Sequence, residues 1–90
     1  MKRMLFIGYY EIYPEKMEEL AREGKKALQE PLPEGLKPIE DCLTPGDWGV
    51  CIFEAENEEA IVKYWAPVLR YFRKVKIAPA MRIDKMYDLY

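Results

Sequence analysis

The chain has 90 residues, half of them hydrophobic or aromatic and a third charged, with a formal net charge of −2 and no histidine. That is one small domain, and such a domain buries only roughly 60 to 65% of the surface its unfolded chain exposes, so its stability is marginal without an oligomer, a metal or a disulfide. Interspersed charges exclude the basic surface that nucleic acids or anionic membranes attract, and the longest apolar run, Met4–Tyr10, falls far short of the ~20 residues that cross a bilayer.

Lys2 and Arg3 precede apolar residues, but Glu11, Glu15 and Glu18 follow soon and no small-residue cleavage site appears, so no signal peptide is read and a cytoplasmic protein is expected. The stretch MLFIGYYEI, Met4–Ile12, reads as a strand. Met4, Phe6, Gly8, Tyr10 and Ile12 share one side of it, and Leu5, Ile7, Tyr9 and Glu11 the other. Both sides are mainly apolar and need cover, yet the chain holds helices for only one. A second copy of the chain is the expected cover for the other.

Pro14 suits the first position of a helix, which is expected from Glu15 to Gln29. Met17, Leu20, Ala21, Gly24, Ala27 and Leu28 recur there at helical spacing, with acidic residues early and Lys25 and Lys26 late, as the helix dipole favours. Pro31, Pro33 and Gly35 end that helix. Leu36–Thr44 reads as a second strand that Pro38 confines to a sheet edge. Thr44-Pro45-Gly46-Asp47 then predicts a type II turn, and Gly49–Ala55 a third strand, apolar on both sides and hence central.

Asn57 is placed to cap a second helix whose stripe is Ile61, Tyr64, Trp65, Val68 and Phe72, with a kink or two short helices meeting near Ala66 because Pro67 removes a backbone hydrogen bond. Lys74–Ile83 is expected as a fourth strand, at an edge because of Pro79. The domain is taken as residues 1–83. Residues 84–90 are a tail too apolar to hang loose in water, so it is expected to pack on its own domain or on a partner subunit. The order is βαββαβ, an α+β ferredoxin-like fold. Its antiparallel sheet has order 4-1-3-2 and both helices on one face, with strands one and three expected to run parallel in the middle.

Two stretches carry a resemblance: MLFIGYYEIYPEKMEEL at Met4–Leu20, and GVCIFEAENEEAIVKYWAPVL at Gly49–Leu69 with the closing VKIAPAM at Val75–Met81. Together they resemble a family of small uncharacterised bacterial and archaeal proteins, a domain of unknown function in the dimeric α/β-barrel superfamily. The resemblance spans residues 4 to 83. It implies a homodimer formed by pairing the two sheets face to face. It also implies that substrates, where there are any, lie between the sheet and its helices. The superfamily includes cofactor-free monooxygenases, isomerases and haem enzymes, so fold alone assigns no activity.

Without histidine the commonest general base, metal ligand and haem ligand are missing, and Ser-His-Asp and Cys-His pairs are excluded. No metal site and no cofactor is expected, and no glycine-rich phosphate loop is present. Cys42 and Cys51 face one another if the turn has four residues, and lie diagonally on one face if it is tighter. They read as buried free thiols, with a disulfide as the alternative. A pocket under the helices would be lined by Tyr9, Phe53, Trp65 and Met81, with Arg82 added as a ligand-binding residue. Tyr9, Tyr10, Asp47, Trp48, Glu54 and Arg82 are the polar candidates, and Glu11 and Glu54 lie near the ends of central strands. The oxygenases of the superfamily often use an Asn and a Trp, but the only asparagine, Asn57, is taken up as a cap.

An RNA-recognition domain shares the element order, but strand three, WGVCIFE, lacks its paired aromatic and basic positions. The cluster Arg70, Arg73, Lys74 and Lys76 is read as a helix end running into an edge strand. The expected partners are therefore a second copy and a small molecule, with no nucleic acid and no membrane. The reading is a homodimeric small-molecule-binding or interaction domain. The alternative is a cofactor-independent enzyme of monooxygenase or isomerase type.

Overall fold

A computed structural model describes residues 3–90. Its order is β1 (Met4–Ile12), α1 (Met17–Ala27), β2 (Leu36–Leu43), β3 (Trp48–Ala55), α2 (Glu58–Trp65), β4 (Phe72–Pro79) and α3 (Ile83–Tyr87). One sheet of order β2-β3-β1-β4 holds the strands, so the proline-bearing β2 and β4 are its edges. A proline cannot donate to a ladder, and an edge is where that omission does least harm. The middle pair, β1 and β3, runs antiparallel and not parallel as expected. The reason is topological: the return through α1 lays β2 parallel to β1, and the hairpin then reverses β3.

Pro14 opens a short 3-10 turn, Pro14–Lys16, and α1 begins only at Met17. Asn57 caps α2 by accepting from the Ala60 amide at 3.0 Å. Pro67 ends α2 outright, and a separate 3-10 turn at Leu69–Tyr71 follows, so the break expected near Ala66 gives two short helical pieces and not a kinked continuation. Phe72, expected in the helical stripe, starts β4 instead. That strand stops at Pro79, and Ile83 begins α3. Every residue of 84–90 is exposed in the single chain.

The core lies between the helices and one sheet face. Phe6, Tyr10 and Ile12 from β1 meet Cys51, Phe53 and Ala55 from β3, under Ala60, Ile61 and Trp65 of α2. Rings meet mostly edge to face, Phe53 against Tyr64 at 5.6 Å and Trp65 against Phe72 at 5.6 Å. Helix α1 is different, because none of its residues is buried; Met17 and Leu20 are only partly covered. The opposite sheet face is open. Its middle is apolar, with Ile7 46%, Trp48 42% and Val50 39% exposed. Charged residues surround that middle, among them Glu11, whose carboxylate holds the Arg73 guanidinium.

Two departures reset which residues face the helices. The β2–β3 turn is not type II: Gly46 does not take the left-handed conformation, and Asp47 does, at φ 64°. The Thr44 amide donates to the Trp48 carbonyl at 2.8 Å, so three residues form the loop. Beyond it the β2–β3 ladder slips between Pro38 and Glu40, leaving Ile39 as an extra residue. Asp41 then pairs with Cys51 and Cys42 with Val50. Successive residues point to opposite faces, so Cys42 and Cys51 lie on opposite sides of the sheet. They are free thiols, Cys51 buried and Cys42 exposed, which excludes the disulfide and corrects the picture of two buried thiols on one face.

Candidate functional site

Because α1 stands off the sheet, a pocket of about 160 Å³ opens beneath it. Leu20, Gly24 and Ala27 of α1 form one wall, and Tyr64 and Trp65 of α2 another. Tyr10, Ile12, Asp41 and Phe72 of the sheet make the floor. An outer groove of about 450 Å³ continues over the β2 edge past Pro38 and Ile39, and shares Tyr10, Leu28, Asp41, Leu43 and Tyr64 with the inner pocket. Those shared residues mark the neck between the two.

The neck holds the site's polar centre, where the Tyr10 hydroxyl donates to Asp41 Oδ1 at 2.6 Å. Tyr10 is on β1 and Asp41 on β2, with β3 between them. The ring crosses that strand over Gly49, its partner in the β1–β3 register. A Cβ at position 49 would come within 2.6 Å of the Tyr10 hydroxyl, so any larger residue would displace the ring. Asp41 is on this face because of the bulge at Ile39, and bulges recur where a side chain must be re-aimed. Phe72 stacks on Tyr10 at 5.0 Å, and Trp65 meets its edge at 6.0 Å, fixing the ring.

Desolvation drives the electrostatics of the neck. Asp41 is exposed along the groove, but crowding of its carboxyl against the sheet raises the pKa, and the Tyr10 hydrogen bond only partly offsets this. Burial first, then the bond to Asp41, pushes the Tyr10 phenol far above its ordinary range. Cys51, across from Asp41, is pushed up to about 12, mainly by burial. Thus Tyr10 remains a donor at any ordinary pH, and Asp41 is the group able to change protonation. Among the described residues no lysine or arginine lines the inner pocket.

Gly24 has no packing reason to be glycine. An added Cβ would meet no atom within 4 Å, although glycine inside a helix is disfavoured by roughly 1 kcal/mol relative to alanine. Its absent side chain leaves the inner wall open.

Of the residues singled out from sequence for ligand binding, Trp65 lines this pocket, and Phe53 stands behind it against Trp65 at 6.0 Å. Tyr9 points to the opposite face, where it lines a shallow groove with Ile7, Val50, Lys76 and Ala78, and donates to Glu11. Met81 and Arg82 are exposed beyond the end of β4, outside the pocket. Among the other polar candidates Tyr10 is at the neck. Asp47 forms the turn, and Trp48 and Glu54 belong to the open face. Asp41 and Gly24, which line the pocket, were not singled out from the sequence. The available signal was glycine inside regular elements at positions 24 and 49, where open space or a close approach needs it. Among the described residues no three or more His, Cys, Asp or Glu gather as a metal site, and no helix is long and apolar enough to cross a membrane.

The four-stranded antiparallel sheet with its helices on one face defines the chain as a ferredoxin-like α+β domain. Solved structures share this fold. One is a Bacteriodes thetaiotaomicron VPI-5482 protein provisionally described as an antibiotic biosynthesis monooxygenase, 16% identical, with TM-score 0.65 over 91% of this chain and 90% of that one. Another is a conserved protein from Methanosarcina mazei Go1, 17% identical, with TM-score 0.61 over 91% and 94%. A NIPSNAP family protein from Agrobacterium tumefaciens str. C58 is 16% identical, with TM-score 0.60 over 90% and 86%. At such identities the likeness establishes the fold. Residues 4–90 match the family described as Domain of unknown function (DUF3303), and the chain belongs to that family. No curated protein matches the sequence.

Proposed function

We propose that this chain is a small-molecule-binding domain that works as a homodimer, with its ligand in the pocket between α1 and the sheet. One observation carries the reading: an apolar pocket, kept open by a helical glycine that nothing crowds, contains a hydrogen-bonded Tyr10–Asp41 pair at its neck. Pockets of this make-up, apolar with a few convergent polar groups, are where small molecules bind. The apolar open face supports the second copy, since Ile7, Val50 and Trp48 stand in water in a single chain. The apolar tail, Ile83 to Tyr90, reaches the same partner in this reading.

A thermal-shift screen of uncharged metabolites tests the pocket. Hits are expected, and Gly24→Leu should remove them; hits that survive this substitution place the ligand elsewhere. Sedimentation tests the dimer, with Ile7→Lys expected to yield single copies. A monomeric parent protein at high micromolar concentration would sink that part.

A second reading is a cofactor-independent enzyme of monooxygenase or isomerase type. What favours it is Asp41, a carboxyl whose pKa is raised by crowding against the sheet at the mouth of an apolar pocket, a direction of shift that suits a carboxylate to act as a base. Mass spectrometry of the recovered hits separates the two: altered compounds favour the enzyme, unchanged compounds the binder.

A further inference from the structure

We infer that the pocket selects a one-ring compound carrying a hydrogen-bond donor and no negative charge, and that Asp41 is the residue that selects it. The inference rests on the pocket reading above and adds the chemical class of the ligand.

Size comes first. The inner pocket measures about 160 Å³. A roughly 150 Å³ apolar cavity in an engineered protein stays dry and takes up one benzene. One ring therefore fills the inner pocket, and any larger substituent lies in the outer groove over Pro38 and Ile39.

Polarity comes second. Asp41 Oδ1 accepts from Tyr10, and among the described residues no other hydrogen bond to that carboxyl is formed. The second oxygen, at the neck, is free to accept from a ligand. A ring seated against Trp65 and Phe72 with a hydroxyl toward the neck would satisfy it. Tyr10 cannot donate to a ligand without giving up Asp41, because its single proton is already committed; its oxygen can still accept, but as a neutral group it is a weaker acceptor than the carboxylate.

Charge comes third. Tyr10, Tyr64 and Trp65 bring no charge, and the α1 wall is Leu20, Gly24 and Ala27. Among the described residues no cation lines the inner pocket, so an anionic ligand would meet the Asp41 carboxylate with nothing there to offset the repulsion. Asp41 is exposed along the groove, so at separations near 4 Å that repulsion weakens binding by roughly tenfold.

The test uses the full chain at neutral pH and three probes of one ring each: phenol, fluorobenzene and benzenesulfonate. Binding is followed by chemical-shift changes at the Gly24 and Asp41 amides and the Trp65 indole. Phenol should bind about tenfold more tightly than fluorobenzene, through its hydrogen bond to a charged acceptor. Benzenesulfonate should bind at least roughly tenfold more weakly than phenol. Asp41→Asn should shrink the phenol advantage and improve benzenesulfonate. If that variant does not fold, the order of the three probes on the parent protein decides by itself. Equal affinities for phenol and fluorobenzene, or benzenesulfonate binding as well as phenol, would overturn the inference and leave the pocket standing. Failure of all three to bind would overturn the pocket with it.

Discussion

Replacing Gly24 by leucine should make the protein more stable and, at the same time, unable to hold a ring under α1. The backbone part follows from helix propensity, where leucine inside a helix is better than glycine by about 0.8 kcal/mol. The packing part comes from four new carbons entering a space in which even a Cβ meets nothing within 4 Å. Full burial would give about 0.8 kcal/mol per carbon, but the pocket is half open, so about half of that is realised. Lost rotamer freedom subtracts roughly 0.5 to 1 kcal/mol. The net is a stabilisation of about 1.5 kcal/mol, which for a domain of this size raises Tm by roughly 6 to 12 °C. Thermal unfolding at one fixed protomer concentration measures it, since dimer formation would make Tm concentration-dependent. Gly24→Ala should give the backbone gain with little loss of pocket. A lower Tm for the leucine variant would mean that α1 closes down over position 24 in solution, and the argument for an open pocket would fail.

Three further outcomes follow from the same geometry. Asp41 has a raised pKa, so its contribution to stability is complete below the unfolded carboxyl value and is lost as pH rises through the folded one. Asp41→Asn, which keeps an acceptor for Tyr10, should therefore raise the urea midpoint more at about pH 7 than at about pH 3.5; equal shifts at both would refute the assignment. Cys51, buried and with its thiol pushed up to about 12, should resist alkylation in the native protein, while both cysteines label in denaturant without reductant. Native labelling of Cys51 would contradict its burial. Asn57→Ala should destabilise by about 1 kcal/mol through loss of the Ala60 cap and leave ring binding unchanged, which thermal unfolding and the phenol titration check together.

Local signals fixed the framework. Alternation along Met4–Ile12 and Gly49–Ala55 set two strands with two apolar faces, and Pro38 and Pro79 sent β2 and β4 to the edges, because a missing N–H is tolerated only there. Asn57 set the start of α2. These features depend on residues close in sequence, and the observed sheet order follows from them. The direction of the middle pair was legible too, from the hairpin and the single crossover, once the strands are traced in turn.

The site was decided elsewhere. Whether Asp41 faces helices or solvent depends on one extra residue in β2, since a one-residue slip exchanges the two faces of a strand. That slip depends on how β2 meets β3 after a three-residue loop with Asp47 in the left-handed conformation, and Pro-Gly at the turn's centre pointed to another geometry. The Tyr10–Asp41 bond joins residues 31 apart in the chain across an intervening strand, so no periodic pattern announces it. The sequence alone determined which segments pair and which faces are apolar, because those follow from alternation and backbone chemistry. Only the tertiary structure decided which carboxyl enters the pocket and how far α1 stands from the sheet, because both depend on the register and spacing of elements packed against one another.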